Sequence, residues 1–381
     1  MRTDRQNYWL TWATSLLFFV AFYTLLAPLP LYLAAIPLPD WQIGVIMGAF
    51  GVASLIGRPV AGLAADRLGY RNVMVAGALA LLVGVAGVTA TTSAALLFAL
   101  RLCQAIGYVA FTTASNALVV GLAAPGERKS LLTRFGAAAN VAMTLTPATI
   151  SALLPILTLS GAIWVAGLFA LISGALALRV RTPPVAGDRV TGARFPLRIP
   201  RSMALPMTLA AIGGVGFGAF LQFLPLLTER QGGLPSGPLF ALYGASIALT
   251  RFLTARWMDV GDQRQILRLG YALLAGGLGL FALGGNWPLL AGGAVGVAAG
   301  SGLLTGLLMN LHVEAAPQGA RGSAVAFYYL GFDLGIGGGA WVLAPVLQQW
   351  GINSLYGWAA AVALLGVALV SATPRTPVAQ P

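Results

Sequence analysis

Long apolar runs recur along the chain, separated by short polar breaks. A helix that crosses about 30 Å of hydrocarbon at 1.5 Å per residue needs about 20 predominantly apolar residues. Runs of that length occupy 9–35, 41–62, 73–92, 95–122, 131–156, 160–178, 204–228, 237–258, 266–284, 288–312, 322–348 and 354–372, which makes twelve. Dividing 381 residues by twelve gives about 32 per helix and connection. That leaves room for short loops and for no sizeable soluble domain. The first run extends from Trp9 to Ala35 without a small-residue cleavage pattern, so a retained helix is expected there rather than a signal peptide.

Composition supports the same picture. Only 8% of residues are charged and 58% are hydrophobic, against roughly 25% charged in ordinary globular chains. Gly (49) and Pro (22) are spread through the apolar runs, as membrane helices tolerate. The expected fold is an all-α integral membrane protein with twelve transmembrane helices. Its one cysteine, Cys103, excludes an internal disulfide and any cysteine-built zinc or iron–sulfur site, and its one histidine, His312, excludes a multi-histidine metal centre. No cofactor is expected.

The formal net charge is +12, and its placement decides its meaning. With the N-terminus inside, 20 of the 22 basic residues fall in or beside cytoplasmic segments. The exceptions are Arg230, in an external loop, and Arg101, within a span. This asymmetry obeys the positive-inside rule and predicts cytoplasmic termini in a cytoplasmic (inner) membrane. The charge therefore points to anionic lipid headgroups, not to nucleic acid.

The chain also repeats. Its longest hydrophilic stretch, around Arg179 to Arg201, contains Pro183, Pro184 and Gly187 and reads as a cytoplasmic linker. A shift of 193 positions aligns Arg58 with Arg251, Asp66 with Asp259, Arg71 with Arg264, Gly107 with Gly300, Arg128 with Arg321 and Ser130 with Ser323. The expected organisation is two pseudo-symmetric six-helix bundles, 1–178 and 204–381, joined by a basic linker at 179–203. Parallel halves of this kind build alternating-access transporters whose substrate site lies near the membrane midplane.

Between spans two and three stands R-P-V-A-G-L-A-A-D-R-L-G-Y-R, Arg58 to Arg71. Arg58, Gly62 and Asp66 follow i, i+4, i+8 spacing along one helical stripe, and Gly62 is expected to let a neighbouring backbone approach closely. Gly69 suits the tight turn, while Arg67 and Arg71 hold the loop on the cytoplasmic side. This segment resembles the signature loop of the major facilitator superfamily, G-x-x-x-D-R-x-G-x-R, with matches at Gly62, Asp66, Arg67, Gly69 and Arg71. The second-half copy retains Asp259 and Arg264 in register and has Gly261 one place before the motif glycine, where Asp262 stands, with Ala255 and Val260 at two further motif positions. The resemblance implies a gating loop in which Asp66 forms a charge lock with the opposite half.

Charges inside a membrane span cost roughly 2.5–3.5 kcal/mol on insertion scales and mark functional positions. Asp333 lies about 11 residues into span eleven, or about 16 Å deep, within Y-Y-L-G-F-D-L-G-I-G-G-G. There it is a candidate proton carrier, and its repeat partner, Asn140, keeps the shape without the charge. Arg101 opens R-L-C-Q-A-I-G, which is similar to the R-x-x-Q-G-x-G element of drug/proton antiporters, matching at Arg101, Gln104 and Gly107. The resemblance implies proton coupling through Arg101; the charge alone equally suits an anchor for an anionic substrate. Span five departs from the antiporter signature, with Thr146-Pro147 where Gly-Pro is expected, and span one has no acidic residue.

Further cavity candidates are Tyr23 in span one, Gln104, Tyr108 and Thr112 in span four, and Asn140 and Thr144 in span five. The second half offers Gln222 in span seven, Tyr243 and Ser246 in span eight, Ser301 and Thr305 in span ten, and Tyr329 in span eleven. His312 with Glu314 offers a proton-exit pair, against which stands an interfacial resting place. Arg58 and Arg251 are symmetry mates, and nitrate/nitrite carriers of the same superfamily clamp their anion between paired arginines from those spans. Bracing of the two loops is the competing role.

The whole reads as a monomeric secondary transporter of a small organic solute, most similar to the proton-coupled drug and sugar efflux branch, with protons as the second partner. A facilitator or an anion carrier, nitrate-like or for organic anions, is the alternative. The chain lacks H-E-x-x-H, G-x-S-x-G and a nucleotide-binding loop, so an enzyme is not expected. A receptor, the remote alternative, would need a sensing or signalling domain.

Overall fold

The computed structural model describes residues 2–122, 128–182, 199–316 and 321–373. Among these residues regular structure is helical throughout, with no strand. Span one is delivered as two helices, α1 (Arg2–Thr24) and α2 (Pro28–Ala35). Pro28 has no N–H to give the Thr24 carbonyl and its ring crowds that carbonyl, so the chain turns before resuming. Span two is likewise divided, at Gly48, into α3 (Asp40–Met47) and α4 (Ala49–Leu68). Then follow α5 (Tyr70–Val88), α6 (Ala94–Leu122), α7 (Arg128–Leu153), α8 (Leu159–Ala177), α9 (Arg201–Arg230), α10 (Gly237–Val260), α11 (Gln263–Leu283) and α12 (Trp287–Ala315). The last helix, α13 (Arg321–Leu369), carries spans eleven and twelve and is divided at Gly351, whose φ of 78° disfavours any Cβ.

Nine helical stretches among the described residues are long and apolar enough to cross a membrane. The counterparts of spans five and eight, α7 and α10, are 26 and 24 residues long, but arginines and other polar residues lower their mean hydropathy. Side chains start several of the helices. Thr158 accepts from Gly161 N at 3.0 Å at the start of α8, Asp262 from Arg264 N at 2.9 Å at α11, and Asn286 from Leu289 N at 3.1 Å at α12. Each contact satisfies one of the amides that a helix start leaves orphaned.

The chain divides into two compact units, Met1–Pro37 with Val52–Arg194 and Leu38–Gly51 with Phe195–Pro381. In the first, α1 packs against α7 and α8, and α5 lies against both α6 and α8. In the second, α13 packs against α9, α11, α12 and α3, and α12 against α10 and α11. Most of the basic linker, residues 183–198, lies outside the described residues.

Close backbone approach holds each unit together, and it recurs in the same register. In the first unit a Cβ on Gly107 would stand 2.5 Å from the Gly77 carbonyl oxygen, and one on Gly84 2.8 Å from the Leu100 carbonyl oxygen. In the second unit, 193 positions on, a Cβ on Gly300 would stand 2.6 Å from the Gly270 carbonyl oxygen, and one on Gly277 2.5 Å from Val297 N. Small residues let two membrane helices touch backbone to backbone, which is where packing is won when lipid competes for apolar contact. The sequence repeat is therefore also a packing repeat.

Candidate functional site

The signature loop sits at the α4–α5 junction. Gly69, with φ 86°, supplies the backbone conformation that separates the two helices, and its N–H donates to Ala65 O at 3.0 Å. Asp66, Arg67 and Arg71 are exposed around it, and Gly62 lies one turn earlier on α4. A Cβ on Gly62 would meet no atom within 4 Å. The close approach expected at Gly62 is therefore not present: its side-chain space is open. Arg58 donates from Nε to Ser54 Oγ at 3.2 Å on its own helix, while its repeat mate Arg251 is exposed. In the second copy the side chain of Asp259 lies outside the described residues, and Arg264, half-buried, opens α11 just after the capping Asp262.

Within the first unit, Arg101 is buried on α6, with 3% of its surface exposed. Its Nη1 donates to Gln104 Oε1 at 3.0 Å, one turn along the same helix. Gln104 is itself held by a 2.9 Å bond from Nε2 to the Gly84 carbonyl on α5. The guanidinium carbon lies 5.6 Å from the centre of the Phe22 ring, within the range of cation–π attraction. Phe22 in turn packs on Tyr108 with centroids 4.3 Å apart, and Phe18 stacks on Phe111 at 3.8 Å. Tyr23 stacks with Phe19 at 6.1 Å. The sequence brought Arg101, Gln104, Tyr108 and Tyr23 into consideration. It missed the phenylalanines, although Phe18 and Phe22 are four apart on α1, and Gln104, Tyr108 and Phe111 follow Arg101 at helical spacing.

In the second unit, Asp333 is buried in α13, 4% exposed. Contact between α13 and α9 fixes this stretch. A Cβ on Gly331 would stand 2.8 Å from Met207 O, and Gln222 Nε2 donates to Ile336 O at 3.1 Å. The other amide atom, Gln222 Oε1, is buried without a hydrogen-bond partner. A small cavity of about 10 Å³ is lined by Gly213, Ser301, Leu304, Thr305, Leu308, Tyr328 and Phe332, close to the room a single water needs. Tyr243 is buried against Phe220, with ring centres 4.7 Å apart, and Ser246 is half-buried on the same helix.

Facing sorts the remaining candidates. Thr112 is buried and spends its hydroxyl on the Tyr108 carbonyl at 2.8 Å, Thr144 is half-buried, and Asn140 is exposed. Tyr329 is 40% exposed, whereas its neighbour Tyr328, 2% exposed, lines the cavity. One residue is a 100° turn of a helix, and the sequence alone does not say which of two adjacent tyrosines points inward. His312 is fully buried, with Nδ1 2.7 Å from the Leu308 carbonyl and its ring edge-on to Tyr328. Its neighbour in sequence, Glu314, is exposed and accepts from Asn310 at 2.7 Å. The two do not pair, so neither the exit pair nor the interfacial histidine expected from sequence is present. An ion pair that sequence reading did not foresee joins Arg230 to Asp40 through two bonds of 2.6 and 2.8 Å within the second unit.

A sequence family described as Major Facilitator Superfamily matches residues 11–340. The chain is 29% identical over 299 residues to a chloramphenicol resistance protein of Pseudomonas aeruginosa, covering 72% of this chain and 68% of that protein. It is also 27% identical over 205 residues to an uncharacterized MFS-type transporter of Pseudomonas aeruginosa, covering 53% of this chain and half of the relative. Among solved structures, a nucleoside transporter, NupG, superposes with a TM-score of 0.79 at 15% identity, over 96% of this chain and 98% of that one. The human organic anion transporter MFSD10 superposes with a TM-score of 0.67 at 21% identity, over 96% and 99%. These structural likenesses concern the fold.

Proposed function

Because this chain belongs to the major facilitator superfamily, we propose that it is a secondary active transporter that exports a small organic solute in exchange for protons across the cytoplasmic membrane. The mechanism is alternating access. Two six-helix halves, 1–178 and 204–381, expose one solute site to either side in turn, and both termini are cytoplasmic. A multi-pass membrane protein of this family is not an enzyme; its work is done by conformational exchange. The observation that carries the reading is Asp333, a carboxyl buried in a membrane-depth helix of the second unit. A charge there is costly, and taking up a proton removes it. Asp333 is the proton carrier, Arg101 supplies the fixed positive charge of the first unit, and the Asp66 loop is the gate. The name of the chloramphenicol resistance relative supports the direction of export.

A thermal-shift screen of the purified protein against sugars, amino acids, organic acids and lipophilic cations selects the solute for the assay. A pH gradient, acid inside, should then drive its uptake into inverted vesicles. Asp333→Asn should remove that dependence while sparing exchange of bound solute. Accumulation against a gradient by the variant would defeat the assignment. For the rival, a facilitator or a carrier that clamps an anion between Arg58 and Arg251, transport should ignore pH and fail in Arg251→Ala; Arg58 bonds Ser54 on its own helix.

A further inference from the structure

The surroundings of Arg101 bear on the solute itself. A guanidinium carries five N–H donors and keeps its charge. Here Nη1 is committed to Gln104, while Nε is buried with no acceptor. Gln104 is tied to Gly84 by its own amide N–H and cannot swing round to serve both. Among residues 5–122 and 128–182 the acidic residues are Asp40 and Asp66. Asp40 is bonded to Arg230 in the second unit, and Asp66 is exposed at the end of α4. The first unit therefore buries a cation that none of its described carboxylates compensates, and burying an unpaired charge is expensive. The uncommitted Nε edge is the side on which a guanidinium takes a carboxylate in two parallel bonds. The Phe22 ring lies 5.6 Å from the guanidinium carbon and Tyr108 packs on Phe22 in turn, apolar surfaces of no use to an inorganic anion and well suited to a flat organic one.

We propose that Arg101 is an anion-recognition residue, and that the transported solute is an aromatic organic anion, in the simplest case a carboxylate. Its charge docks on the Nε edge while its ring packs against Phe22 and Tyr108. This rests on the transporter reading and is independent of Asp333 as proton carrier.

The test is binding to the purified protein in detergent, followed by thermal shift and by titration calorimetry. The probes are sodium benzoate, the neutral isostere benzamide, sodium acetate and inorganic phosphate, each up to about 10 mM, where ligands of so few atoms bind. Benzoate should stabilise the protein and the other three should not. Arg101→Gln should weaken benzoate about 10-fold to 100-fold, the worth of a charge-assisted pair. Arg101→Lys, which keeps the charge without the fork, should fall between. Tyr108→Leu, a second variant that leaves the cation in place, should narrow the preference for benzoate over acetate. Equal binding of benzamide and benzoate, no benzoate binding at all, phosphate binding as well as benzoate, or unchanged benzoate binding in a folded Arg101→Gln protein would each overturn the proposal. Asp333→Asn should bind benzoate normally, so a failure of the proton assignment in vesicles is read separately.

Discussion

Two glycines that look alike in sequence should respond oppositely to the same substitution. Gly107 of α6 faces the α5 backbone: a Cβ there would stand 2.5 Å from the Gly77 carbonyl oxygen and 2.9 Å from Leu81 N. Ordinary contact begins at 3.4 Å, so the two helices would have to part by about 0.9 Å. Overpacking of that kind costs about 1–3 kcal/mol. Gly62 of α4 has nothing within 4 Å. Both substitutions to alanine gain about 1 kcal/mol of helix propensity, which cancels in the comparison. Gly62→Ala should therefore melt above Gly107→Ala by the clash alone, about 1–3 kcal/mol, or about 2–12 °C for units of this size. Tryptophan fluorescence during heating of the detergent-solubilised protein measures it. Equal melting temperatures, or a less stable Gly62→Ala, would refute the packing argument. Transport by Gly62→Ala is informative in turn: lost turnover with intact stability would assign Gly62 to the moving states of the cycle.

The carboxylate of Asp66 is exposed, so Asp66→Asn should cripple turnover while shifting the melting temperature by less than about 2 °C, the range of an innocuous surface change; wild-type kinetics would refute the charge lock. Asp40→Asn removes the partly exposed pair with Arg230, and should cost no more than about 1 kcal/mol at low salt and less at high salt; a larger, salt-independent loss in thermal unfolding would contradict this. Asn286→Ala deprives α12 of its capped amide at Leu289 and should cost about 0.5–2 kcal/mol, read in the same melting assay.

The spans were legible because twenty apolar residues between arginines admit few interpretations, and the helices follow them with small shifts. Breaks inside spans were less so. Residues 9–35 were expected as one helix although Pro28 lies within them, and Gly48 looks like any other membrane glycine until its neighbours are known. Arg101 and Asp333 stood out because charge is rare at that depth. What a pattern does not carry is azimuth: Tyr328 and Tyr329 differ by one position and by nearly all their exposure. The contrast between Gly62 and Gly107 has the same origin, since the partner that makes a glycine necessary belongs to another helix. His312 was misjudged for a related reason. Its place near a span's end suggested an interface, whereas Tyr328 and the Leu308 carbonyl enclose it.

The most direct test of alternating access is a pair of distance measurements by pulsed electron resonance on the protein in lipid, in a Cys103→Ser background. One spin-label pair joins Leu68 to Arg264, on the side proposed as cytoplasmic, and the other joins Thr91 to Asn286, on the side proposed as external. Lowering the pH and adding solute should lengthen one distance distribution while shortening the other. Distributions that stay fixed, or that lengthen and shorten together, would contradict the account.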